Sequence, residues 1–382
     1  MTAQIQIDPE FIEMRHWFHA HPELGFHEYQ TSEFITQTLS GWGIPVQECS
    51  LDTAVVGLIQ GAHPGPQVAL RADIDGLPIV EQTGLAYASE NAGRMHGCGH
   101  DIHMTGLLAA AKWLNEHRDS IQGSILLVFQ PSEETGEGAR AILDAGVLNE
   151  AQAIIGTHNN PDYKVGQIAV GTEAMMAGCV KFAVKLHAQG THAGYPHMGT
   201  GPLEALASMI LSLQSIVSRN ISPFHAVVLS ITEVHGGHVW NVVPAEAGFQ
   251  GTLRFFDPAD EVLARKRFAA HVQSTAQAYG IEADVVWDNI QIPLQCDEKL
   301  STVVAQQTAS YADVQPIHPS MAGEDFAEYS LKVPLVFGFI GSNGTEGHHD
   351  WHSPEFVAFD GAIETTANFY ANAALTVLDE LR

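Results

Sequence analysis

The chain has 382 residues, more than the roughly 250 to 300 at which one hydrophobic core usually stops growing, so two domains are expected. Its 44 acidic residues against 17 lysines and arginines give a formal net charge of −27, which argues against nucleic acid and membranes as partners. The sequence lacks both a run of ~18 apolar residues and the pattern of a secretory signal, so a soluble cytoplasmic protein is expected.

The first part of the chain alternates between helical and strand-like segments. Helices are predicted at 31–43, 105–117 and 138–148, and strands at 55–60, 67–73, 123–130 and 153–158. Such alternation indicates an α/β fold with parallel strands, in which ligands bind beyond the carboxyl ends of the strands. Polar clusters that directly follow strands are therefore the first places to look for a functional site.

The pattern changes at Cys179 and changes back after about residue 290. Between these points the sequence predicts strands at 179–188, 225–237, 245–256 and 281–287, and helices at 202–219 and 258–280. Their order is that of a ferredoxin-like α+β sandwich. A helix at 298–312, a strand at 333–341 and a helix at 360–381 then restore the α/β pattern. The sequence thus predicts an α/β protein of two domains, one formed by residues 1–177 and 290–382 and the other an insertion of residues 178–289.

Four separate segments carry side chains suited to a metal ion. They supply Cys98 and His100, the adjacent Glu133 and Glu134, His158, and His352 with its neighbours His348 and His349. In an extended chain Cys98 and His100 would point the same way, whereas Glu133 and Glu134 would point in opposite directions. Thiolate, imidazole and carboxylate together favour Zn²⁺ or Mn²⁺. The predicted chemistry is metal-assisted hydrolysis, in which one glutamate binds metal and the other takes a proton from water.

Each segment alone has a simpler interpretation. Adjacent glutamates usually belong to a solvated loop, His158 could be a structural histidine, and the histidines of HHDWH could form a surface cluster. Cys98 beside His100 and Asp101 could also be a thiol nucleophile with its base. Residues so close in sequence rarely form that geometry, and no oxyanion signature accompanies them.

Six motifs occur in the order seen in the metal-dependent amidohydrolases that include hippurate hydrolases, bacterial aminoacylases and plant auxin-conjugate hydrolases. They are MHGCGHDIHMTGLLAAAKWL, FQPSEETGEGARAILDAG, GTHAGYPHMGTGPL, NVVPAEAGFQGTLRFF, MAGEDFAEY and WHSPEF. Over its whole length the chain resembles the cysteine-containing branch of this family. The resemblance implies a mixed-sheet α/β di-metal hydrolase domain with an inserted lid domain that also mediates dimerisation.

The resemblance also implies roles for residues of the larger domain. The implied metal ligands are Cys98, His100, Glu134, His158 and His352, and the implied general base is Glu133. Asp75 resembles the acid that orients a ligand. In the wider superfamily a metal-binding histidine lies two residues before that acid, whereas this chain has Asp73 there. The resemblance to the cysteine-containing branch implies that Cys98 takes over the role of this histidine, and it leaves open which ligand the two metals share.

In the inserted domain, the resemblance implies that His192 reaches into the partner subunit's site and stabilises the oxyanion. Relatives usually have two glycines before this histidine, and this chain has Gly190 and Thr191. Asn241 and Arg254 resemble residues that bind the substrate. Arg254 is suited to a free carboxylate, although a salt bridge on the strand surface is an equally good interpretation.

The activity expected from the sequence is hydrolysis of the amide bond of N-acyl amino acids, giving a carboxylic acid and a free amino acid. The expected cofactors are two divalent ions per subunit, Mn²⁺ or Zn²⁺, and the expected assembly is a homodimer or a higher homo-oligomer. A dipeptidase or carboxypeptidase is the alternative enzyme, since the same site would cleave any amide beside a free carboxylate. A binding protein on an inactive hydrolase scaffold is disfavoured, because both glutamates and all five implied ligands are retained.

Overall fold

The computed structural model describes residues 2–343 and 349–382 and divides them into two units. The first unit comprises the described residues within Met1–Met175, Gln295–His318 and Asp325–Arg382. The second comprises Met176–Leu294 and Pro319–Glu324. The segment 178–289, delimited from the sequence, falls inside the second unit, whereas the return of residues 319–324 to that unit was not predicted.

The helices and strands are numbered in chain order. The helices are α1 (Pro9–Ala20), α2 (Tyr29–Gly41), α3 (His100–Glu116), α4 (Gly138–Asp144), α5 (Pro202–Leu213), α6 (Ser215–Asn220), α7 (Pro258–Ala278), α8 (Glu298–Thr308) and α9 (Gly361–Glu380). The strands are β1 (Val46–Gln47), β2 (Val55–Gln60), β3 (His63–Asp73), β4 (Gln122–Gln130), β5 (Ala153–Lys164), β6 (Gln167–Val170), β7 (Ala174–Met176), β8 (Gly178–His187), β9 (Thr191–His192), β10 (Val227–Gly236), β11 (Val242–Val243), β12 (Glu246–Phe255), β13 (Glu282–Gln291), β14 (Leu294–Gln295), β15 (Asp313–Val314) and β16 (Leu335–Asn343).

The first unit contains an eight-stranded mixed sheet with the order β1-β2-β4-β3-β5-β16-β6-β15. Its four central strands, β4, β3, β5 and β16, are parallel, whereas β2 and β6 run antiparallel to the neighbouring central strand. The apolar run of β4 is buried along nearly its whole length, as expected for a strand covered on both faces. Because the central strands are parallel, their carboxyl ends meet at one edge of the sheet.

Helix α3 packs closely against α9. A Cβ atom at Gly106 of α3 would lie 2.4 Å from the Cγ2 atom of Thr366 on α9, so the contact requires a glycine. Most of α3 is buried, and the helix begins at His100, well before the predicted start at residue 105. Gly99 precedes it in the left-handed conformation with a φ of 78°, which favours glycine and lets the chain turn directly into the helix.

A buried ionic network ties α1 to the first turn of α3. The Nε atom of Arg15 lies 2.8 Å from Asp101 Oδ2, and its Nη1 atom lies 2.8 Å from Asp360 Oδ1. The ring of His19 bridges two carboxylates, with Nδ1 2.9 Å from Asp101 and Nε2 3.2 Å from Glu81. The Asp101 and Arg15 side chains are fully buried. The network therefore anchors the residue directly after His100.

The second unit has the element order β8, α5 and α6, β10, β12, α7, β13, and an antiparallel sheet with the order β10-β12-β8-β13. This is the ferredoxin-like arrangement that the sequence predicted. A separate two-stranded ribbon pairs β9 with β11. None of the helices in the described ranges combines the length and apolarity needed to cross a membrane.

Candidate metal centre

The implied metal ligands of the first unit lie around the carboxyl ends of its central strands. Glu134 follows β4, and His158 lies in the part of β5 that pairs with Phe339 of β16. Asp75, the implied orienting acid, follows β3. His100 is the first residue of α3. Parallel strand order thus brings together donors that are far apart in the sequence, as expected for an α/β site.

Cys98 and His158 face each other in the interior. The Cys98 Sγ atom lies 3.4 Å from His158 Nε2, while His158 Nδ1 donates a hydrogen bond of 2.6 Å to the main-chain oxygen of Asn159. Burial, followed by the charge of His103, holds the pKa of His158 well below its usual value. His158 is therefore a neutral imidazole whose Nε2 lone pair points at the thiol, which is the form that binds a metal.

His100 lies in a strongly acidic environment. Its Nδ1 atom donates to the main-chain oxygen of Asp75 at 2.9 Å, which leaves Nε2 pointing towards the glutamates. Burial lowers the pKa of His100. The charge of Asp73 and the contacts with Asp75 raise this pKa by more than burial lowers it, so that it reaches about 10. The surrounding carboxylates thus stabilise positive charge at this position, and a divalent ion would satisfy the same field.

Glu133 and Glu134 lie in a turn of residues 133–136, and this turn together with the preceding Ser132 is here called the glutamate turn. The expectation that an extended chain points the two side chains in opposite directions was wrong. The His100 Nε2 atom lies 4.0 Å from Glu133 Oε2 and 3.9 Å from Glu134 Oε1, so both carboxylates face the same imidazole. The two oxygens of Asp75 accept from the backbone N–H groups of Glu133 at 3.1 Å and Glu134 at 3.0 Å. Asp75 therefore orients both the glutamate turn, through its carboxylate, and the His100 ring, through its main-chain oxygen.

Two groups of donors share Cys98. The ligand atoms of Cys98, His100 and His158 lie within 4.8 Å of one another, and so do those of Cys98, Glu134 and His352. Among the described residues, the buried His100 Nε2 and Glu134 Oε1 atoms have no hydrogen-bond partner. Such atoms are costly to bury unless something binds them. The donor set, which combines a thiol, imidazoles and carboxylates, could hold two divalent metal ions.

Asp73 and His103 are also close to His100 but are engaged elsewhere. His103 Nδ1 lies 2.6 Å from Asp73 Oδ1, and His103 Nε2 accepts from the Asn159 N–H at 2.8 Å. Asp73 also receives the buried Arg71 guanidinium at 2.7 Å. Burial raises the pKa of Asp73, but the charges of His100, Arg71 and His103 lower it well below its usual value. Asp73 is thus a buried counter-charge behind the donors.

His352 is the exposed member of the donor set. Its side chain is 54% exposed, and its Nε2 atom lies 3.4 Å from Glu134 Oε2. Its φ of 64° is unusual for a residue other than glycine, and its N–H donates to the Gly97 oxygen at 2.9 Å. The donor set is therefore buried at Cys98, His100 and His158 and open to solvent on the side of His352. His349 is exposed and lies near Glu355, and His348 is outside the described residues.

Two residues that support the site were not predicted. Trp351 lies edge-on to His158 with ring centroids 4.8 Å apart, and its Nε1 donates to the Asn159 oxygen at 3.1 Å. The Asn159 side chain contacts the Cys98 oxygen and Ser342. Both residues directly adjoin implied ligands in the sequence, and that adjacency was the only available signal.

The implied residues of the second unit lie in two places. His192 pairs with Val242 across the β9–β11 ribbon, and the Asn241 oxygen accepts from the neighbouring Ala193 N–H at 3.0 Å. His192 is exposed. Arg254 lies on β12, where its Nη1 donates to the Met321 oxygen at 2.7 Å. The structure therefore brings Asn241, which directly precedes β11, close to His192 of the ribbon and places Arg254 on the four-stranded sheet.

Comparison with known proteins identifies the family. Residues 69–376 match the Peptidase family M20/M25/M40. The N-acetyl-L-cysteine deacetylase of Bacillus subtilis (strain 168) is 40% identical over 375 residues, which cover 98% of this chain and 89% of that protein. The chain belongs to the peptidase family M20/M25/M40. This finding confirms the family that the sequence motifs predicted.

Two further similar proteins extend the comparison. Thermostable carboxypeptidase 1 of Saccharolobus solfataricus is 34% identical over 378 residues, covering 97% of this chain and 96% of that protein. The crystal structure of the Bacillus subtilis YXEP protein, described as a dinuclear metal-binding peptidase of the M20 family, is 35% identical. It matches with a TM-score of 0.87 and covers 97% of this chain and 98% of that chain. The chain thus has the α/β fold of the M20 hydrolases, as predicted.

Proposed function

We propose that this M20 protein hydrolyses the amide bond of N-acyl amino acids and releases a carboxylic acid and a free amino acid. The observation that carries the proposal is the position of Glu133. Its carboxylate is buried beside both donor groups, 4.0 Å from His100 Nε2, while its Oε1 atom accepts from the Asp325 N–H at 3.4 Å. The similarity to an N-acetyl-L-cysteine deacetylase supports the N-acyl substrate class.

The proposed cofactors are two Mn²⁺ or Zn²⁺ ions held by Cys98, His100, Glu134, His158 and His352. When bound, such ions lower the pKa of water and polarise the scissile carbonyl. The structure supports Cys98 as the shared ligand, because it is common to both groups of donor atoms. His352, on the open side, would be the ligand nearest to an entering substrate.

Glu133 is the proposed general base. Its carboxylate takes a proton from the attacking water, and the water oxygen forms a bond to the carbonyl carbon. The C–N bond then breaks, and Glu133 gives the proton to the leaving amine. A carboxylate in this role typically contributes 10² to 10⁴ in rate, as an order of magnitude. The Asp325 N–H restrains the carboxylate, so proton transfer requires little reorganisation.

The second unit would supply the remaining groups. The resemblance assigns His192 of a partner subunit to the developing oxyanion, which makes a homodimer the proposed assembly. An exposed imidazole on a two-stranded ribbon is compatible with that role, since it is free of burial within its own unit. Asn241, which directly precedes the ribbon strand β11, and the guanidinium of Arg254 are the proposed contacts to the substrate and its free carboxylate.

The proposal is tested with purified protein loaded with Mn²⁺ or Zn²⁺ and assayed on N-acetyl amino acids and hippurate. Turnover is expected, and Glu133→Gln should lower kcat by about 10² or more while the bound metal stays the same. The exposed Glu137→Gln serves as the matched control and should behave like the wild type. A Glu133→Gln variant as fast as the wild type would contradict the proposed role.

A dipeptidase or carboxypeptidase is the second candidate, supported by the similarity to thermostable carboxypeptidase 1. The two activities differ in the group on the carbonyl side of the scissile bond, which is a simple acyl group in one case and an amino acid residue with a free amino group in the other. Assaying unblocked dipeptides beside N-acetyl amino acids with the same carboxyl residue separates them. A higher kcat/KM on dipeptides would favour the second candidate.

A further inference from the structure

Glu28 is a buried carboxylate that contacts the glutamate turn from a distant part of the chain. It directly precedes α2 and is fully buried. Its Oε1 atom accepts a hydrogen bond of 2.9 Å from the backbone N–H of Ser132, 104 positions away. Burying a carboxylate is costly, so a contact of this kind needs a structural or functional reason.

Ser132 has an unfavourable backbone conformation. Its φ of 60° lies in the left-handed region, which residues other than glycine rarely adopt. The segment that precedes Glu28 packs tightly against Ser132, because a Cβ atom at Gly25 would lie 2.4 Å from Ser132 Oγ. The Glu28 hydrogen bond thus stabilises a strained residue at the start of the glutamate turn.

Three successive backbone N–H groups of the turn point at buried carboxylates. Asp75 accepts those of Glu133 and Glu134, and Glu28 accepts that of Ser132. Without Glu28, the first of these groups would be buried without its acceptor, and the turn could relax from its left-handed conformation. Such a relaxation would move both glutamate side chains.

We propose that Glu28 is a positioning residue, whose ionised carboxylate fixes the glutamate turn and thereby places Glu133 for proton transfer and Glu134 for metal binding. The inference rests on the proposed function for its catalytic part. Its metal-binding part depends only on the donor geometry. A misplacement of about 1 Å in a catalytic group can cost on the order of 10²-fold in rate.

The charge of Glu28 changes in the neutral pH range. Burial, followed by the charge of Asp75, raises the pKa of Glu28 to about 7, and its hydrogen bonds act in the opposite direction. The hydrogen bonds include those from the uncharged Ser132 and Thr53. A second buried carboxylate of the same segment, Glu23, accepts a hydrogen bond from the Thr31 N–H. Above this pH the carboxylate is ionised and binds the Ser132 N–H most strongly.

The test compares Glu28→Ala and Glu28→Gln with Glu33→Gln. Glu33 lies on α2 but is exposed and contacts only Gln37 among its described hydrogen bonds, so it is the matched control. Two measurements are made on each protein. Co²⁺ is titrated into the metal-free protein and followed by thiolate-to-cobalt absorption, and kcat and KM on an N-acetyl amino acid are measured from pH 5.5 to 9, a range of about two units on either side of neutrality.

Glu28→Ala should weaken Co²⁺ binding by about tenfold, as loss of a residue that orients a ligand typically does. It should also lower kcat by about 10-fold or more, with KM changed by less than about twofold. Glu28→Gln keeps an acceptor oxygen but cannot ionise. The ratio of wild-type to Glu28→Gln kcat should therefore be about 10 at high pH and fall towards one below neutrality, where wild-type Glu28 is also uncharged.

Wild-type kcat and Co²⁺ affinity in Glu28→Ala would overturn the proposal, as would a wild-type to Glu28→Gln ratio that does not change with pH. If Glu28→Ala does not fold, the isosteric Gln variant decides the question through the same two measurements. If the wild type hydrolyses no N-acyl amino acid, the proposed function fails. The Co²⁺ titration then decides the role of Glu28 independently.

Discussion

The Sγ atom of Cys98 lies 3.4 Å from the Nε2 atom of His158, although 60 positions separate the two residues. Both nitrogens of the His158 ring have defined roles, because Nδ1 donates to the Asn159 oxygen. The pair is therefore already arranged to bind a metal ion, because a neutral imidazole nitrogen and a thiol lie next to each other.

Cys98→Ser is expected to weaken metal binding by about 10-fold to 100-fold, because a hydroxyl replaces the thiolate common to both donor groups. Metal content after dialysis against a range of free Zn²⁺ concentrations measures the change. Cys49→Ser is the control, since Cys49 is a half-buried free cysteine outside the donor groups named above. Equal metal affinity in Cys98→Ser and the wild type would count against a shared thiolate.

Asp75→Asn is expected to lower both kcat and thermal stability. Asparagine has a single acceptor oxygen, so one of the two backbone N–H groups at Glu133 and Glu134 would lose its partner. The loss should cost about 1 to 3 kcal/mol of unfolding free energy and about 10-fold or more in kcat. Steady-state kinetics and thermal unfolding of the same samples test this, with exposed Asp52→Asn as control. Unchanged kcat in Asp75→Asn would contradict it.

His19 should make folding stability depend on pH. Burial lowers the pKa of His19, but the charge of Asp101 and the hydrogen bonds to Asp101 and Glu81 raise it above its ordinary value of 6.5. A histidine whose pKa is higher in the folded than in the unfolded protein stabilises the folded state fully at pH values below its unfolded pKa. This stabilisation is lost as the pH rises through its folded pKa. His19→Gln should therefore destabilise metal-free protein by about 2 kcal/mol at acidic pH and by less at alkaline pH.

Urea unfolding of the wild type and His19→Gln, repeated at acidic, neutral and alkaline pH, measures the difference in unfolding free energy. The matched control is His63→Gln, because His63 is exposed. A difference between wild type and His19→Gln that grows as the pH rises would have the wrong sign and would refute the assignment.

Gly106→Ala is expected to destabilise the protein even though alanine favours helices. The new Cβ atom would lie 2.4 Å from Thr366 Cγ2, so α3 and α9 would have to separate. Overpacking of this kind typically costs about 1 to 3 kcal/mol, which exceeds the gain of about 1 kcal/mol in helix propensity. At Gly41, the last residue of α2, a Cβ atom would meet nothing within 4 Å. Gly41→Ala should therefore be neutral or stabilising, and calorimetry distinguishes the two substitutions.

The sequence was sufficient to predict the family and the ferredoxin-like insertion. Motifs such as GCGHDIH and PSEETGEG carry chemistry within a few residues, and the periodicity of long helices and strands survives without tertiary context. The donor residues of the first unit, inferred from these motifs, are indeed brought together in the structure.

Local conformation at the site was not predictable in the same way. The turn at Glu133 and the left-handed Gly99 replace the extended chain that was expected, because their conformations depend on distant partners. The N–H groups of the turn are held by Asp75 and Glu28, and Arg15 reaches Asp360 across 345 positions. A short motif contains no information about such long-range hydrogen bonds and ion pairs.

The separation of the donors along the chain has a consequence for biosynthesis. Cys98, His100, Glu134 and His158 leave the ribosome before residues 176–294, whereas His352 follows them. A nascent chain that has not yet exposed His352 contains Cys98, His100 and His158, but it lacks one member of the group formed by Cys98, Glu134 and His352. Both groups of donors are therefore complete only after residue 352 has been synthesised.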